Sequence, residues 1–233
     1  MDEIVLGIIT KNSHRNLGTT YLQTLAGSLQ VPYSGIIIVD SGEDDTLRVT
    51  SEFCRERDKS FNPLNGKGMN RAKARQAAIN HFLNCFQERW LMFLDDDCIL
   101  KPNFFQEAKK YMMDMNIGLI WGLDDVEGTK FAKFLRYRGF NPREYSLNAF
   151  KVRGGTHDTL LRREALEGIR IPSYLQVLED KYIKDYVEQM GYKTAIVYDG
   201  CWHRMDYHIV RDALEYYRTY GSIIIHRVVG NGY

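Results

Sequence analysis

The chain has 233 residues, 44% of them apolar and 26% charged, which suits one large domain or two small ones sharing a sheet. This balance excludes a disordered tail, a collagen-like fibre and a disulfide mini-scaffold. Lys plus Arg number 31 against 30 for Asp plus Glu, and a net charge of +1 argues against a general nucleic-acid binder, which needs clustered cations. The start, MDEIVLGIITKN, is acidic and lacks the basic region of a secretory signal, and every apolar run is too short to span a bilayer. The expected location is the cytoplasm, with any membrane contact peripheral. Cys54, Cys85, Cys98 and Cys201 form no C-x-x-C pair and fit no zinc spacing, so they read as reduced thiols, mostly in the core.

In chain order, Ile4–Ile9 reads as a first strand. Tyr21–Leu29 reads as a helix with Leu22, Leu25 and Leu29 on its inner face. Ile36–Val39 and Trp90–Leu94 are wholly apolar strands. Between them, NRAKARQAAINHFLNCF carries Ala74, Ala78, Phe82 and Phe86 at helical spacing. A helix opening at Pro102 turns Phe105, Ala108 and Met112 inward. From Leu119 to Lys151 the pattern weakens, and loops, short strands or a mobile flap are expected. Thr159–Leu161 is a strand, and Glu179–Met190 is a helix with Ile183, Val187 and Met190 as its stripe and Gly191 as its stop. Thr194–Tyr198 is a late strand, and Tyr207–Tyr220 an amphipathic helix. Apolar strands alternating with helices predict an α/β protein, with a mostly parallel central sheet buried on both faces.

In such sheets ligands collect beyond the carboxyl ends of the strands. Three of these ends are polar: Thr10, Lys11 and Asn12; Asp40 with the following SGEDDT; and Asp95, Asp96 and Asp97. In extended chain Asp95 and Asp97 would share one face and Asp96 the other. Three adjacent anions repel unless a cation joins them, and a hard divalent ion suits carboxylate and phosphate oxygens together. An acidic surface turn is the bland alternative, weakened because a buried strand delivers this one to the ligand edge. Glu179 and Asp180 open a helix, where carboxylates also serve simply as caps. A lone histidine such as His203 is more often structural than a ligand. Arg71 and Arg75 follow the NGKG turn on a helix whose start attracts anions, although no Walker A loop is present. Trp121 and the tyrosines offer rings for sugar stacking, with packing their commoner role.

Together and in this order, IITKN, IIIVDSGEDDT, GKGMNRAKARQAAI, WLMFLDDDCILKP, GGTHDTLLRREAL, LEDKYIKDYVEQMGYK and the late His203 resemble the family 2 inverting glycosyltransferases of GT-A fold. The resemblance implies a Rossmann-like catalytic domain over 1–206, with a nucleotide-binding half (1–100) and an acceptor half (101–206), followed by a helix and tail over 207–233. It implies that Asp40 bonds the nucleobase with Thr10 and Asn12 nearby, and that Arg71, or Arg75 instead, holds the nucleotide. Asp95 and Asp96 would lie along the ribose and diphosphate. Asp97 would bind Mn2+ or Mg2+, with His203 as a further ligand. Asp180 would be the catalytic base, Glu179 its acceptor-positioning neighbour, and Gly154 and Gly155 would line the acceptor side. The chain departs from the family pattern at Ile9, where Pro is frequent, and at Ser41, where a second Asp is usual. Residues 121–153 match nothing in the pattern.

The implied partners are a nucleoside-diphosphate sugar and a glycan or lipid-linked acceptor, with no nucleic acid. The C-terminal helix offers a membrane contact or a dimer seam, with core packing the default. Three rival functions share some of these residues. A haloacid-dehalogenase-type phosphotransferase uses a strand-end D-x-D, but after an early first strand and followed by Thr or Val where Ile99 stands. A nucleotidyltransferase would have no use for Asp180, and a non-catalytic sugar-nucleotide binder would need fewer of the polar groups.

Overall fold

The computed structural model describes residues 4–204 apart from 176. The helix expected over 207–220, with its membrane and dimer roles, lies outside the described residues. Eight strands form one sheet: β1 (Ile4–Thr10), β2 (Tyr33–Asp40), β3 (Ser60–Asn65), β4 (Trp90–Leu94), β5 (Cys98–Leu100), β6 (Ile117–Asp125), β7 (Asp158–Arg162) and β8 (Lys193–His203). Their order is β3-β2-β1-β4-β7-β6-β8-β5. The pairs β3–β2, β2–β1, β1–β4 and β6–β8 are parallel. The strand β7 runs antiparallel to both β4 and β6, and β5 antiparallel to β8.

The strand period of two divides the apolar residues between two cores. Ile4, Leu6, Ile8, Ile36, Ile38, Trp90, Met92 and Leu94 face one side. There they meet α2 (Thr19–Ser28), α3 (Thr46–Arg55) and α5 (Phe104–Met112). Val5, Ile37, Val39, Leu91 and Phe93 face the other side, against α4 (Arg71–Cys85), α7 (Pro142–Arg153) and α8 (Glu179–Gln189). Two short helices complete the order: α1 (Ser13–Leu17) after β1, and α6 (Lys130–Tyr137) before α7. Adjacent arginines on and after β7 tie the layers together. Arg162 is fully buried and donates to the carbonyls of Met112, Asp114 and Ile117, while Arg163 donates to four carbonyls from Phe82 to Glu88 at the end of α4.

Several sequence expectations need correction. In α2 the buried face is Tyr21, Thr24, Leu25 and Ser28, while Leu22 and Leu29 are exposed. Tyr21 and Ser28 are tolerated inside because each hydroxyl has a partner, Thr50 and Tyr33 respectively. In α5 Phe104 takes the core position, and Phe105 is half-buried beside it. Met190 is exposed at the end of α8. The largest difference is at 119–151, where β6, α6 and α7 replace the expected loops. The strand β3 escapes the apolar pattern because it is an edge strand, half solvated and interrupted by Pro63. Cys54, Cys98 and Cys201 are buried free thiols, whereas Cys85 is exposed.

Candidate active site

The carboxyl ends of β1, β2 and β4 lie side by side, since Thr10 pairs with Asp40 and Gly7 with Phe93. The Thr10 hydroxyl donates to Asp40 Oδ1 at 2.6 Å, and the Gly42 N–H donates to Oδ2 at 3.1 Å. Burial pushes the Asp40 pKa up against those two hydrogen bonds. Asn12 adopts a left-handed conformation (φ 56°), and its side-chain oxygen accepts from the Glu43 N–H at 2.8 Å. Asparagine tolerates that backbone region better than most residues. Thr10, Asn12 and Asp40 thus form one rim.

Asp95, Asp96 and Asp97 do not alternate across an extended strand. The chain turns after Leu94, with the Cys98 N–H donating to the Asp95 carbonyl at 3.1 Å, and the three carboxyls diverge. Asp95 meets Arg75 Nη2 at 2.5 Å. Burial opposes its ionisation, but the guanidinium outweighs burial and holds the pKa below the ordinary range. Asp96 turns towards α1 and accepts from the Ser13 hydroxyl. Burial, reinforced by Asp97, pushes the Asp96 pKa up to about 7. Asp97 faces β8, where its Oδ1 is 3.5 Å from His203 Nε2.

His203 lies within β8, whose span exceeds the expected one. Its Nδ1 is 3.2 Å from Oδ2 of the buried Asp124 on β6. Burial opposes an imidazolium here, but Asp97 and Asp124 on either side push the pKa well above its ordinary value. Burial also works against the Asp124 carboxylate, and the His203 hydrogen bond overcomes it, leaving the pKa well below the usual range. A cation at Nε2 would displace the imidazolium proton there, and Asp97 and His203 would then offer it a carboxylate oxygen and an imidazole nitrogen, with Asp124 behind the ring. This oxygen and nitrogen set suits a divalent ion such as Mn2+ or Mg2+.

A second cluster beside it does not fit a cation. Cys98 Sγ, Cys201 Sγ and a His157 ring nitrogen lie within 4.8 Å of one another. The Trp121 indole N–H, a donor only, reaches His157 Nε2 at 3.1 Å. The neighbouring Asp158 favours an imidazolium, yet protonating Nε2 would set two N–H groups against each other. The ring is therefore neutral, with its proton on Nδ1, 2.7 Å from Asp158 Oδ1. No nitrogen lone pair is left for a thiolate–imidazole site. Asp158 occupies a slot between Gly122 and Gly200, where an added Cβ would stand 2.0 Å and 2.6 Å from its Oδ2.

On the other side of the Asp95 turn, Asp95 N–H donates to the His157 carbonyl, linking the turn to the loop after α7. That loop carries Gly154 and Gly155. Gly154 has φ +74°, and a Cβ there would lie 2.8 Å from the Asp180 carbonyl; one on Gly155 would lie 2.5 Å from Trp121 Nε1. Gly154 thus lets the loop pass directly over the start of α8, and Gly155 lets it close on the Trp121 indole of β6. Asp180 Oδ2 accepts from Arg153 Nη2 at 3.1 Å, and Oδ1 from the Lys181 N–H at 2.8 Å. Glu179 is buried beside it. Burial and the Asp180 charge push Glu179 up to about 7, against the opposing pull of Arg75 and Arg71.

Glu179 supplies a stability prediction. Its folded pKa exceeds the unfolded one, so the native state binds the extra proton between the two values, and stability falls as pH rises through about 7. Glu179→Gln mimics the protonated form. It is expected to gain on the order of 2 kcal/mol over the parent at about pH 8 and almost nothing at about pH 4. Urea unfolding at both pH values checks this; equal gains would show that packing, not charge, is responsible.

The structure brings together Thr10, Asn12 and Asp40; Arg75 with Asp95 and Glu179; Asp97 with His203; and Gly154 with Asp180. It adds Ser13, Asp124, Arg153 and His157, which the sequence reading missed. Trp121 is not available to a sugar, being buried and stacked on Phe150 at 4.1 Å between centroids.

A sheet of this order with its polar groups at one edge is the GT-A architecture of nucleotide-sugar-dependent transferases. The Glycosyl transferase family 2 profile matches residues 6–170, and the chain belongs to that family. A mannosyltransferase from Pyrobaculum calidifontis, solved with GDP-Man and Mn2+, has a similar fold (TM-score 0.70, 14% identity), covering 95% of this chain and 64% of its own. S. aureus TarS 1–349 with UDP-GlcNAc gives a TM-score of 0.64 at 14% identity over 86% of this chain and 58% of that one. Mannosyl-3-phosphoglycerate synthase from Rubrobacter xylanophilus gives 0.59 at 14% identity over 99% and 76%. The chain therefore spans less than two thirds of the first two proteins. A search among curated proteins gave no match.

Proposed function

We propose that this chain moves a sugar from a nucleoside-diphosphate sugar to a hydroxyl acceptor, with inversion, in a reaction that depends on Mn2+ or Mg2+. The observation that carries this reading is the approach of His203 Nε2 to Asp97 Oδ1 at 3.5 Å, between segments far apart in sequence, beside the rim formed by Thr10 and Asp40. A divalent cation held by Asp97 and His203 would offset the charge that grows on the departing diphosphate. Asp40 has lone pairs left to accept from a nucleobase, and Arg71 stands at the start of α4 near the donor side. Arg75 orients the Asp95 carboxyl through Nη2, while its Nε and Nη1 have no hydrogen-bond partner among the described residues, so Arg71 or Arg75 holds the nucleotide.

Asp180 takes the proton from the acceptor hydroxyl. Arg153 and the Lys181 N–H fix both of its oxygens, so the carboxyl is oriented before substrate arrives. Glu179, protonated part of the time near neutral pH, is suited to donating a hydrogen bond to the acceptor. Gly154 and Gly155 let the loop pack closely on Asp180 and Trp121, which sets the acceptor-side wall. With one base and no second carboxylate needed as nucleophile, displacement occurs in a single step from the face opposite the diphosphate. Family membership supports this over the phosphotransferase and nucleotidyltransferase readings.

The test is a thermal-shift panel of UDP-, GDP- and dTDP-sugars with and without Mn2+, followed by NMR of the product's anomeric carbon. A donor at about 100 times its Kd stabilises the native state by ~2.7 kcal/mol, which gives a readily measured rise in Tm. A folded sample with no shift from any donor, or a product of retained configuration, overturns the proposal.

A further inference from the structure

The segment between β6 and β7 has a surface that the transfer reaction does not use. The helix α6 buries Ala132 and Leu135 against the protein, and Phe131 packs edge-on against Tyr145 of α7 with centroids 5.6 Å apart. Its opposite side should then be polar. Instead Phe134 is 56% exposed, Tyr137 87% and, just beyond the helix, Phe140 56%. These three rings recur every third residue and form an outward aromatic ridge.

The charge around the ridge is predominantly positive, with Glu127 and Glu144 at its two ends. Residues 128–143 contain Lys130, Lys133, Arg136, Arg138 and Arg143 and no acid, in a chain whose total charge is +1. Arg136 pairs with Glu127, while Lys133 and Arg138 are exposed on either side of the rings. Apolar rings flanked by cations match an anionic lipid surface: the rings enter the headgroup layer, and the cations meet lipid phosphates. A nucleic-acid duplex would account for the cations but not for three adjacent rings held in water.

We propose that the α6 ridge docks the protein on an anionic bilayer. Resting on the transferase reading above, this makes the acceptor a lipid-linked hydroxyl compound presented at the membrane surface. The geometry connects the two sites. The following helix α7 stacks Phe150 on Trp121 and ends at Arg153, which bonds the proposed base Asp180. The ridge and the proposed base are thus joined through one helix, α7.

Co-sedimentation of the full chain with vesicles tests this, comparing phosphatidylcholine alone with phosphatidylcholine plus phosphatidylglycerol. Binding is expected only to the anionic vesicles and should weaken as salt rises. The charge reversal Lys133→Glu with Arg138→Glu, and separately the triple change of Phe134, Tyr137 and Phe140 to Ser, should each reduce vesicle binding at least about tenfold. Because these side chains are exposed, both variants should keep the parent Tm and the donor-induced shift. Loss of vesicle binding with the donor shift intact supports the docking surface. Vesicle binding without any donor shift in the parent defeats the transferase reading but leaves the surface standing. No binding to anionic vesicles, equal binding by parent and variants, or binding to a DNA duplex as tight as to vesicles overturns the proposal.

Discussion

Asp180→Asn is expected to lower kcat by about two to four orders of magnitude, the usual contribution of a positioned general base. The substitution keeps the shape of the side chain and its place at the start of α8. The amide oxygen keeps one of the two donors, Arg153 Nη2 or the Lys181 N–H, and the other donor loses its acceptor, so the side chain stays at the helix start with one hydrogen bond fewer. The donor-induced thermal shift should match the parent, because the donor is proposed to bind at the rim of Thr10, Asp40 and Asp97. KM for the donor should likewise stay close to the parent value, since the lost interaction belongs to the transition state. A variant whose kcat stayed within about threefold of the parent would remove Asp180 from the mechanism.

The parts of this molecule that were legible in the sequence are those where burial imposes a period. The runs Ile36–Val39 and Trp90–Leu94 are covered on both faces, so no polar residue interrupts them. The polar groups at their ends, Asp40 and Asp95–Asp97, then stand at one edge of the sheet, whereas Asp180 opens a helix and only the family resemblance points to it. Asp124 was not legible. It ends a strand, β6, that runs straight into helices whose outer faces carry aromatic rings, which blurred the amphipathic signal over 119–151. The buried run Ile117–Leu123 is the signal for β6, and the expected weak segment, beginning at Leu119, cuts it in two. Arg153 was missed because its partner Asp180 is distant in sequence and only the turn at Gly154 brings them together. The error over Asp95–Asp97 has a plain cause: the alternation rule holds within a strand, and the strand ends at Leu94.

Asp97→Asn and Asp124→Asn are expected to differ in how they affect Mn2+. Asp97 offers its oxygen next to His203 Nε2, so its amide should abolish measurable Mn2+ binding and the Mn2+-dependent part of the donor shift. Asp124 lies on the far side of the same imidazole, 3.2 Å from Nδ1. Accepting a proton there keeps Nδ1–H in place and turns the Nε2 lone pair towards Asp97, the carboxylate–histidine arrangement that raises the basicity of a metal-binding imidazole. Removing its charge should therefore weaken Mn2+ binding about 10–100-fold without abolishing it, and saturating Mn2+ should restore the donor shift. Titration followed by the electron paramagnetic resonance signal of free Mn2+ measures both affinities directly and does not depend on turnover. If Asp124→Asn behaved like Asp97→Asn even at saturating metal, Asp124 would be a ligand in its own right. If it lowered only the Tm and left Mn2+ affinity alone, the His203–Asp124 contact would be packing, and the cation would have to be held without help from β6.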